Sequence, residues 1–234
     1  MTGWWVQDVL QSSGPGFLAA WVLWVVFSIC LHELGHGWAA IAKGDDTPIA
    51  TGHMTWNPVV HMGVPGLVMF ALVGITWGMM PVNPSRFRGR HADAFVAVAG
   101  PLMNLAIFLL CAAVAGVLLG VKGLSVTMGG GHAGAPIEAH LFMFANVGAF
   151  LNIALLLLNL LPFPPLDGSR ILASFVRPYR EFVYGERGAL ITLIGLVLVL
   201  FVFSRHVVAF AGDVALRLIV WIASLFTSGT LPTP

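Results

Sequence analysis

The fold and the chemistry of this chain both follow from one apolar stretch, FLAAWVLWVVFSICLHELGHGWAA at residues 17–40. As a helix it is long enough to cross the roughly 30 Å of hydrocarbon in a bilayer, and it carries no charged residue before His32. His32 and His36 are four positions apart and share one helix face, with Glu33 beside the first of them. Ionisable side chains in such a helix are unfavourable unless they have partners. The stretch therefore predicts a membrane helix that carries a functional site.

These three polar residues have the layout of a zinc hydrolase. Two histidines on one helix face can converge on a Zn²⁺ ion, and the adjacent Glu33 can act as acid and base on a water that the metal activates. Two histidines leave the metal in need of a third protein ligand. The candidates for that ligand are Asp167, Glu138, His140 and Asp213.

Asp167 is the favoured third ligand because it follows a forced helix end. The prolines in LPFPPLDG at residues 161–168 cannot continue a regular helix, so the chain can turn the Asp167 carboxylate inward. Glu138 and His140 open a helix after a glycine-rich loop, where an acid ordinarily compensates the helix dipole. Asp213 suits a polar position on a packing face.

The composition is that of a polytopic membrane protein. Hydrophobic residues make up 58% of the chain and charged residues 9%, against about 25% charged residues in soluble domains. We expect an all-α helix bundle of about five to six transmembrane segments in a multi-pass integral membrane protein. A net charge of +1 without a basic stripe argues against a nucleic-acid partner. Cys30 and Cys111 lie in apolar stretches and are interpreted as buried thiols.

The chain divides into predicted helices and connections. The first 16 residues contain no Lys or Arg, which argues against a cleavable signal and predicts an interfacial tail before a retained anchor helix. The predicted segments are a first helix at about 17–42, spans at about 92–121 and 138–161, a mobile glycine-rich loop at 122–136, and a hairpin of two short spans at 188–203 and 207–226. A single helix broken at residues 204–206 is the alternative to that hairpin.

Residues 47–63 do not have a helical pattern, because proline and glycine interrupt them. Residues 51–56 could form a short extended segment whose edge pairs with an unwound peptide. His53 and His61 lie in this region and are predicted to stabilise turns or lie at the surface rather than bind metal.

The position of the third ligand constrains the topology. His32 and His36 lie in the C-terminal half of the first helix, and Asp167 lies just beyond the third full span, so these two helices must cross in the same direction to share a metal. Residues 64–80 are therefore predicted to be re-entrant or to lie along the interface. Lys43 and the arginines of residues 86–90 and 170–187 then fall on the cytoplasmic side, which places the site nearer the cytoplasm.

With these residues in view, the chain resembles the site-2 protease family of intramembrane zinc metallopeptidases. The family's H-E-x-x-H lies at 32–36, its L-D-G at 166–168 within an N-x-x-P-x-x-P-L-D-G block from Asn159, and a G-P-x-x-N element at 100–104. The resemblance is to the compact subgroup without PDZ or CBS domains, on the following residues: Thr55, Asn57, Pro58, His61, Pro81 and Arg86.

The resemblance implies roles for the site residues. His32, His36 and Asp167 would bind Zn²⁺, Glu33 would be the acid/base, and Asn104 and Asn159 would align substrate or stabilise an oxyanion. An amide in a helix bundle also commonly serves packing.

The implied protein is a single intramembrane metalloprotease domain over 1–234, with a zinc-binding core at about 17–168 and C-terminal helices at about 188–227. Its partners would be the lipid bilayer and a transmembrane protein substrate, in the plasma or inner membrane. A zinc or proton transporter and a non-proteolytic pseudo-protease are the alternatives. The single H-E-x-x-H cluster argues against the first, and the intact Glu33 argues against the second.

Overall fold

The computed structural model describes residues 3–123, 136–185 and 188–227, which are helical with irregular connections. The helices are α1 (Trp5–Ala42), α2 (Thr47–Ala50), α3 (Pro58–Val73), α4 (Ala92–Lys122), α5 (Ile137–Asn159), α6 (Asp167–Phe175), α7 (Arg177–Val183) and α8 (Gly188–Ser224), with a 3₁₀ turn at Pro84–Arg86. No strand is assigned in the described ranges. The all-α prediction is confirmed. Most of the predicted loop at 122–136 and the tail at 228–234 lie outside the described residues.

Four of these helices are long and apolar enough to cross a membrane: α1, α4, α5 and the Arg205–Ser224 part of α8. The predicted hairpin at 188–226 is wrong, because α8 is helical throughout and, at 37 residues, extends for about 55 Å. Residues 204–206 are polar, but neither glycine nor proline is among them and arginine is a good helix former, so the backbone continues. Within the described residues, one continuous helix therefore stands where two short spans were predicted.

The helix α1 is in fact two helices joined at Gly14. Gly14 adopts φ 83° and ψ 170°, a conformation open to glycine, and Pro15 then starts the second helix. Residues 5–13, predicted as part of a polar tail, are thus helical and bend away from the spanning part. The bend brings Trp5 and Val9 beside Phe17 and Trp21, where they line an apolar cavity.

Helix α3 and the chain that follows it form a re-entrant element beside α1. At one end the backbone N–H of Met79 donates to the His61 carbonyl at 2.9 Å. At the far end the indole N–H groups of Trp4 and Trp5 donate to the Ala71 carbonyl at 2.8 and 3.1 Å. The segment thus extends to the N-terminal part of α1 and comes back.

The return is made by residues 74–80 without regular secondary structure. Gly74 ends α3 in the left-handed conformation (φ 80°), packed against the Trp5 ring, and Met80 is buried against Gly37 of α1. Both ends of residues 64–80 therefore lie at the same level of α1. This path agrees with the prediction that the segment is re-entrant or lies along the interface, and its position in the membrane stays a prediction.

The prediction that residues 47–63 are not helical is wrong at 47–50 and from residue 58 onward, which belong to α2 and α3, because the proline near the start of each helix begins the helix rather than interrupting it. The predicted extended edge at residues 51–56 is also wrong. These residues form turns and bends: the N–H of His53 donates to the Pro48 carbonyl and that of Thr55 to the His53 carbonyl, both at 2.9 Å. Gly52, with φ 70°, closes the first of these turns. The local hydrogen bonds leave no strand edge here.

A buried carboxylate fastens the end of α1 to the end of the re-entrant element. Asp45 is fully buried and accepts hydrogen bonds from the backbone N–H of Asn83 at 2.6 Å and of Thr47 at 3.1 Å. Burial raises the pKa of Asp45, but these hydrogen bonds outweigh it, so the pKa lies below its usual value. An ion pair between Asp46 and Arg86 adds to the same junction.

Small residues allow the spanning helices to pack closely around α4, as is common in membrane bundles. Gly148 of α5 packs against Trp24 of α1, and Gly116 and Gly120 of α4 pack against α8. The buried face of α8 recurs every four residues: Ala211, Ala215, Ile219 and Ala223. This packing places α1, α4 and the end of α5 around one point.

Candidate metal centre

The two histidines of α1 point their Nε2 atoms at a common point. Nε2 of His32 and Nε2 of His36 are 3.0 Å apart, and the residues are 8% and 5% exposed. The four-residue spacing on an unbroken helix produces this convergence, as predicted.

The carboxylate of Asp167 lies next to the Nε2 atoms of both histidines. Its Oδ2 lies 3.1 Å from Nε2 of His32 and 3.3 Å from Nε2 of His36. Helix α5 ends at Asn159, and the proline-rich turn delivers Asp167 as the first residue of α6. Gly168 is required next because a Cβ atom there would collide with the Leu160 carbonyl. The prolines therefore end the helix and turn the Asp167 carboxylate inward, as predicted.

The three atoms fit a zinc ion. Bonds of about 2.0–2.2 Å in a tetrahedral site would hold such ligand atoms roughly 3.3 Å apart, close to the 3.0, 3.1 and 3.3 Å measured here. Oδ2 of Asp167 is buried without a hydrogen-bond partner. Gly100 of α4 faces the same point, since a Cβ atom there would lie 2.6 Å from Nε2 of His32. The absent side chain at Gly100 leaves room for the metal.

Hydrogen bonds to the outer nitrogens fix both histidine rings. Nδ1 of His32 lies 2.6 Å from Oδ1 of Asn104, and Nδ1 of His36 lies 2.8 Å from the Val96 carbonyl. A carbonyl oxygen only accepts, so Nδ1 carries the proton in each ring and Nε2 presents its lone pair inward. Such partners orient metal-binding histidines and raise their basicity.

A second amide holds Asn104 in place, and it was missed in the sequence. Nδ2 of Asn104 donates to Oδ1 of Asn152 at 3.0 Å, and Nδ2 of Asn152 donates to the Gly148 carbonyl at 2.9 Å. Both asparagines are fully buried. The signal that could have identified Asn152 is its position as an amide within the apolar run of α5.

Glu33 is buried beside the three inward atoms and lies against the re-entrant element. Its carboxylate contacts Gly78, where an added Cβ atom would overlap Oε1 and lie 2.7 Å from Cγ. The backbone at Gly78 therefore covers one side of the carboxylate. Gly78 was not among the residues predicted from the sequence.

The other candidate ligands lie elsewhere. Glu138 pairs with Lys122 at 3.2 Å, His140 contacts the Pro136 carbonyl at 3.3 Å, and Asp213 pairs with Arg217 on α8 at 2.7 Å. Within the described residues the only group that could hold a metal is His32, His36 and Asp167. The preference for Asp167 over these three agrees with the geometry.

The remaining predicted residues make local hydrogen bonds or are buried. Asn159 donates to the Leu155 carbonyl at 3.0 Å at the end of α5. His53 contacts Thr51 in a turn, as predicted, and His61 is buried with Nε2 2.7 Å from the Thr55 carbonyl. Cys30 and Cys111 are buried free thiols, in agreement with the sequence.

Comparison with known proteins identifies the class. The family model described as peptidase family M50 matches residues 20–202. Two relatives carry the name "Putative zinc metalloprotease": YwhC of Bacillus subtilis, 35% identical over 67% of this chain and 69% of its own length, and Rip2 of Mycobacterium tuberculosis H37Rv, 32% identical over 75% of this chain and 64% of its own length. No solved structure matches the chain.

Fold, site and comparisons together define a multi-pass membrane zinc metalloendopeptidase of the site-2 protease type. The chain belongs to peptidase family M50.

Proposed function

We propose that this protein hydrolyses peptide bonds in or near transmembrane segments of membrane-protein substrates, with His32, His36 and Asp167 holding Zn²⁺. The observation that carries the proposal is the burial of the three ligand atoms and Glu33 together among apolar helices. His32 and His36 lie six to ten residues before the end of α1, or about 9–15 Å along the helix. A substrate bond would therefore be cut within the bilayer or close to its surface.

Each residue of the site has a role in this reaction. The metal supplies a Lewis acid that polarises the scissile carbonyl and makes a water more acidic. Glu33 takes a proton from the attacking water at its carboxylate and passes it to the leaving amine. Asn104 and the Val96 carbonyl hold the two imidazole rings in one tautomer and orientation.

The whole chain is proposed to act as one domain, with its core at about 17–168 and the C-terminal part of α8 packed on α4. We propose that the site opens toward the cytoplasm in a plasma or inner membrane. Support comes from the basic residues at this end of the bundle, where the N–H of Arg88 donates to the Lys43 carbonyl and Arg170 pairs with Asp93.

Cleavage of a panel of single-span membrane proteins in liposomes, with cut sites mapped by mass spectrometry, tests this function. We expect cuts inside or within a few residues of the transmembrane segment and no cutting of soluble unfolded proteins. Bound zinc with zinc flux and no cutting would indicate a transporter instead.

A further inference from the structure

His61 is a buried polar side chain that the metal centre does not use. It is 1% exposed and lies in the first turn of α3, whose start is fixed by Pro58 and by the Asn57 side chain, which accepts from the Val59 N–H at 3.0 Å. This start turns the ring back toward the preceding segment. There Nε2 of His61 meets the Thr55 carbonyl at 2.7 Å.

The contact with Thr55 decides where the proton of a neutral His61 ring resides. A carbonyl oxygen only accepts hydrogen bonds, so Nε2 must carry the proton and donate. Nδ1 is then a lone-pair acceptor, and it is buried without a hydrogen-bond partner. Buried polar atoms of this kind are unusual in folded proteins and point to a partner supplied from outside the chain.

His61 is also linked to the segment that covers the acid/base. Gly78 contacts the Glu33 carboxylate, and the next residue, Met79, donates its N–H to the His61 carbonyl at 2.9 Å. Since Nδ1 has no direct partner, any hydrogen-bonded link between the His61 and Glu33 side chains must run through an intervening molecule.

We propose that Nδ1 of His61 accepts a hydrogen bond from a water that also contacts Glu33, which makes His61 a positioning residue for the acid/base. The inference rests on the proposed function. His61 forms no covalent bond and exchanges no proton in this role; it holds the water, and with it the Glu33 carboxylate, in one arrangement. The Thr55 carbonyl in turn fixes the imidazole tautomer that can accept.

Two substitutions, each of which keeps one polar atom near the position of a ring nitrogen, separate this positioning role from a structural one. In His61→Asn the amide oxygen takes the place of Nδ1 and the bond to Thr55 is lost, whereas in His61→Gln the amide nitrogen takes the place of Nε2 and the acceptor is lost. With a substrate that the wild type cuts, we expect kcat of His61→Gln to fall about tenfold or more, with zinc content, KM and Tm unchanged. We expect His61→Asn to keep kcat within about threefold and to lower Tm.

The opposite ranking, with Gln active and Asn inactive, would overturn the inference and leave His61 a support for the Thr55 turn. A rise in KM with kcat kept in His61→Gln would also overturn it, because Nδ1 would then contact substrate. A wild type that binds zinc and cuts nothing would remove the proposed function and this inference together. An experimental structure of the unaltered protein provides a check without variants, because a water should lie about 3 Å from Nδ1 of His61. The absence of a water at that atom would contradict the proposal.

Discussion

The side-chain oxygen of Asn104 on α4 lies 2.6 Å from Nδ1 of His32 on α1, although 72 positions separate the two residues. The amide thereby fixes the tautomer that presents Nε2 of His32 to the metal. Its own orientation is held by Asn152. The zinc affinity of the site therefore depends on residues of three helices.

Asn104→Leu should weaken zinc binding by about 10–100-fold, because the outer nitrogen of His32 loses its acceptor. Asn104→Asp keeps an acceptor oxygen for Nδ1 of His32 but loses the donor to Asn152, so it should weaken zinc binding less than Asn104→Leu does. Competition of the purified variants with a zinc chelator measures both. Equal affinity of all three proteins would show that the Asn104 contact does not tune the metal.

Gly78→Ala should impair the reaction without removing the metal. The added methyl group would overlap the Glu33 carboxylate, which must then move away from its place beside the ligands. We expect cleavage to fall about tenfold or more while zinc content stays at one ion per chain. Met79→Ala is the matched control, since Met79 is 63% exposed in the same segment and should leave cleavage near the wild-type rate.

Asp45→Asn should destabilise the protein at neutral pH, because the amide nitrogen would face a backbone N–H that the carboxylate now accepts. A buried polar group left unpaired costs roughly 1–3 kcal/mol. The folded-state pKa of Asp45 lies below its usual value. The Asp45 carboxylate therefore stabilises the protein fully above the unfolded pKa of about 3.9. This stabilisation is lost as the pH falls from that value through the folded-state pKa.

Thermal unfolding in detergent at pH 7 and near pH 3 tests this account of Asp45. The variant should have the lower Tm at pH 7, and the difference should shrink at pH 3. Asp46→Asn is the control, because the Asp46 side chain is 69% exposed and should change Tm little at either pH. A difference in Tm that stayed constant between the two pH values would exclude a role for the carboxylate charge.

The proposed orientation can be tested with two exposed serines at opposite ends of the bundle. Ser85 lies in the arginine-rich loop that is hydrogen-bonded to the chain just after α1, and Ser12 lies in the first part of α1. The native cysteines are both buried. On intact cells an impermeant thiol reagent should label Ser12→Cys and should label Ser85→Cys only after permeabilisation; the reverse pattern would place the site on the outer side.

The metal centre was predictable because its signals are local. Two histidines four apart on a helix must share a face, and prolines before Asp167 must end a helix, whatever the rest of the chain does. The re-entrant segment followed from the same residues, since the ligands had to meet at one depth. By contrast, the partners of the two histidine Nδ1 atoms depend on how α1, α4 and α5 are rotated against one another. The partner of His36 is the backbone carbonyl of Val96, and the type of side chain at that position gives no indication of it.

The failed predictions have a common physical cause. The polar residues at 204–206 were taken as a break, but a helix ends where its backbone bonding is interrupted, and Arg205 does not interrupt it. Residues 51–56 were taken as extended, but Gly52 and the hydrogen bonds of His53 close turns instead. In both places local hydrogen bonding of the backbone decided the conformation.

The most direct test of the account compares the wild type with Glu33→Gln in purified form, with bound zinc and cleavage of a membrane substrate measured on the same samples. Glutamine keeps the size of the side chain and touches none of the three metal ligands, but it cannot accept the proton of the attacking water. We predict equal zinc content and a loss of essentially all cleavage in the variant. Equal cleavage by both proteins, or a wild type without zinc, would contradict the assignment of Glu33 and its metal centre as the catalytic site.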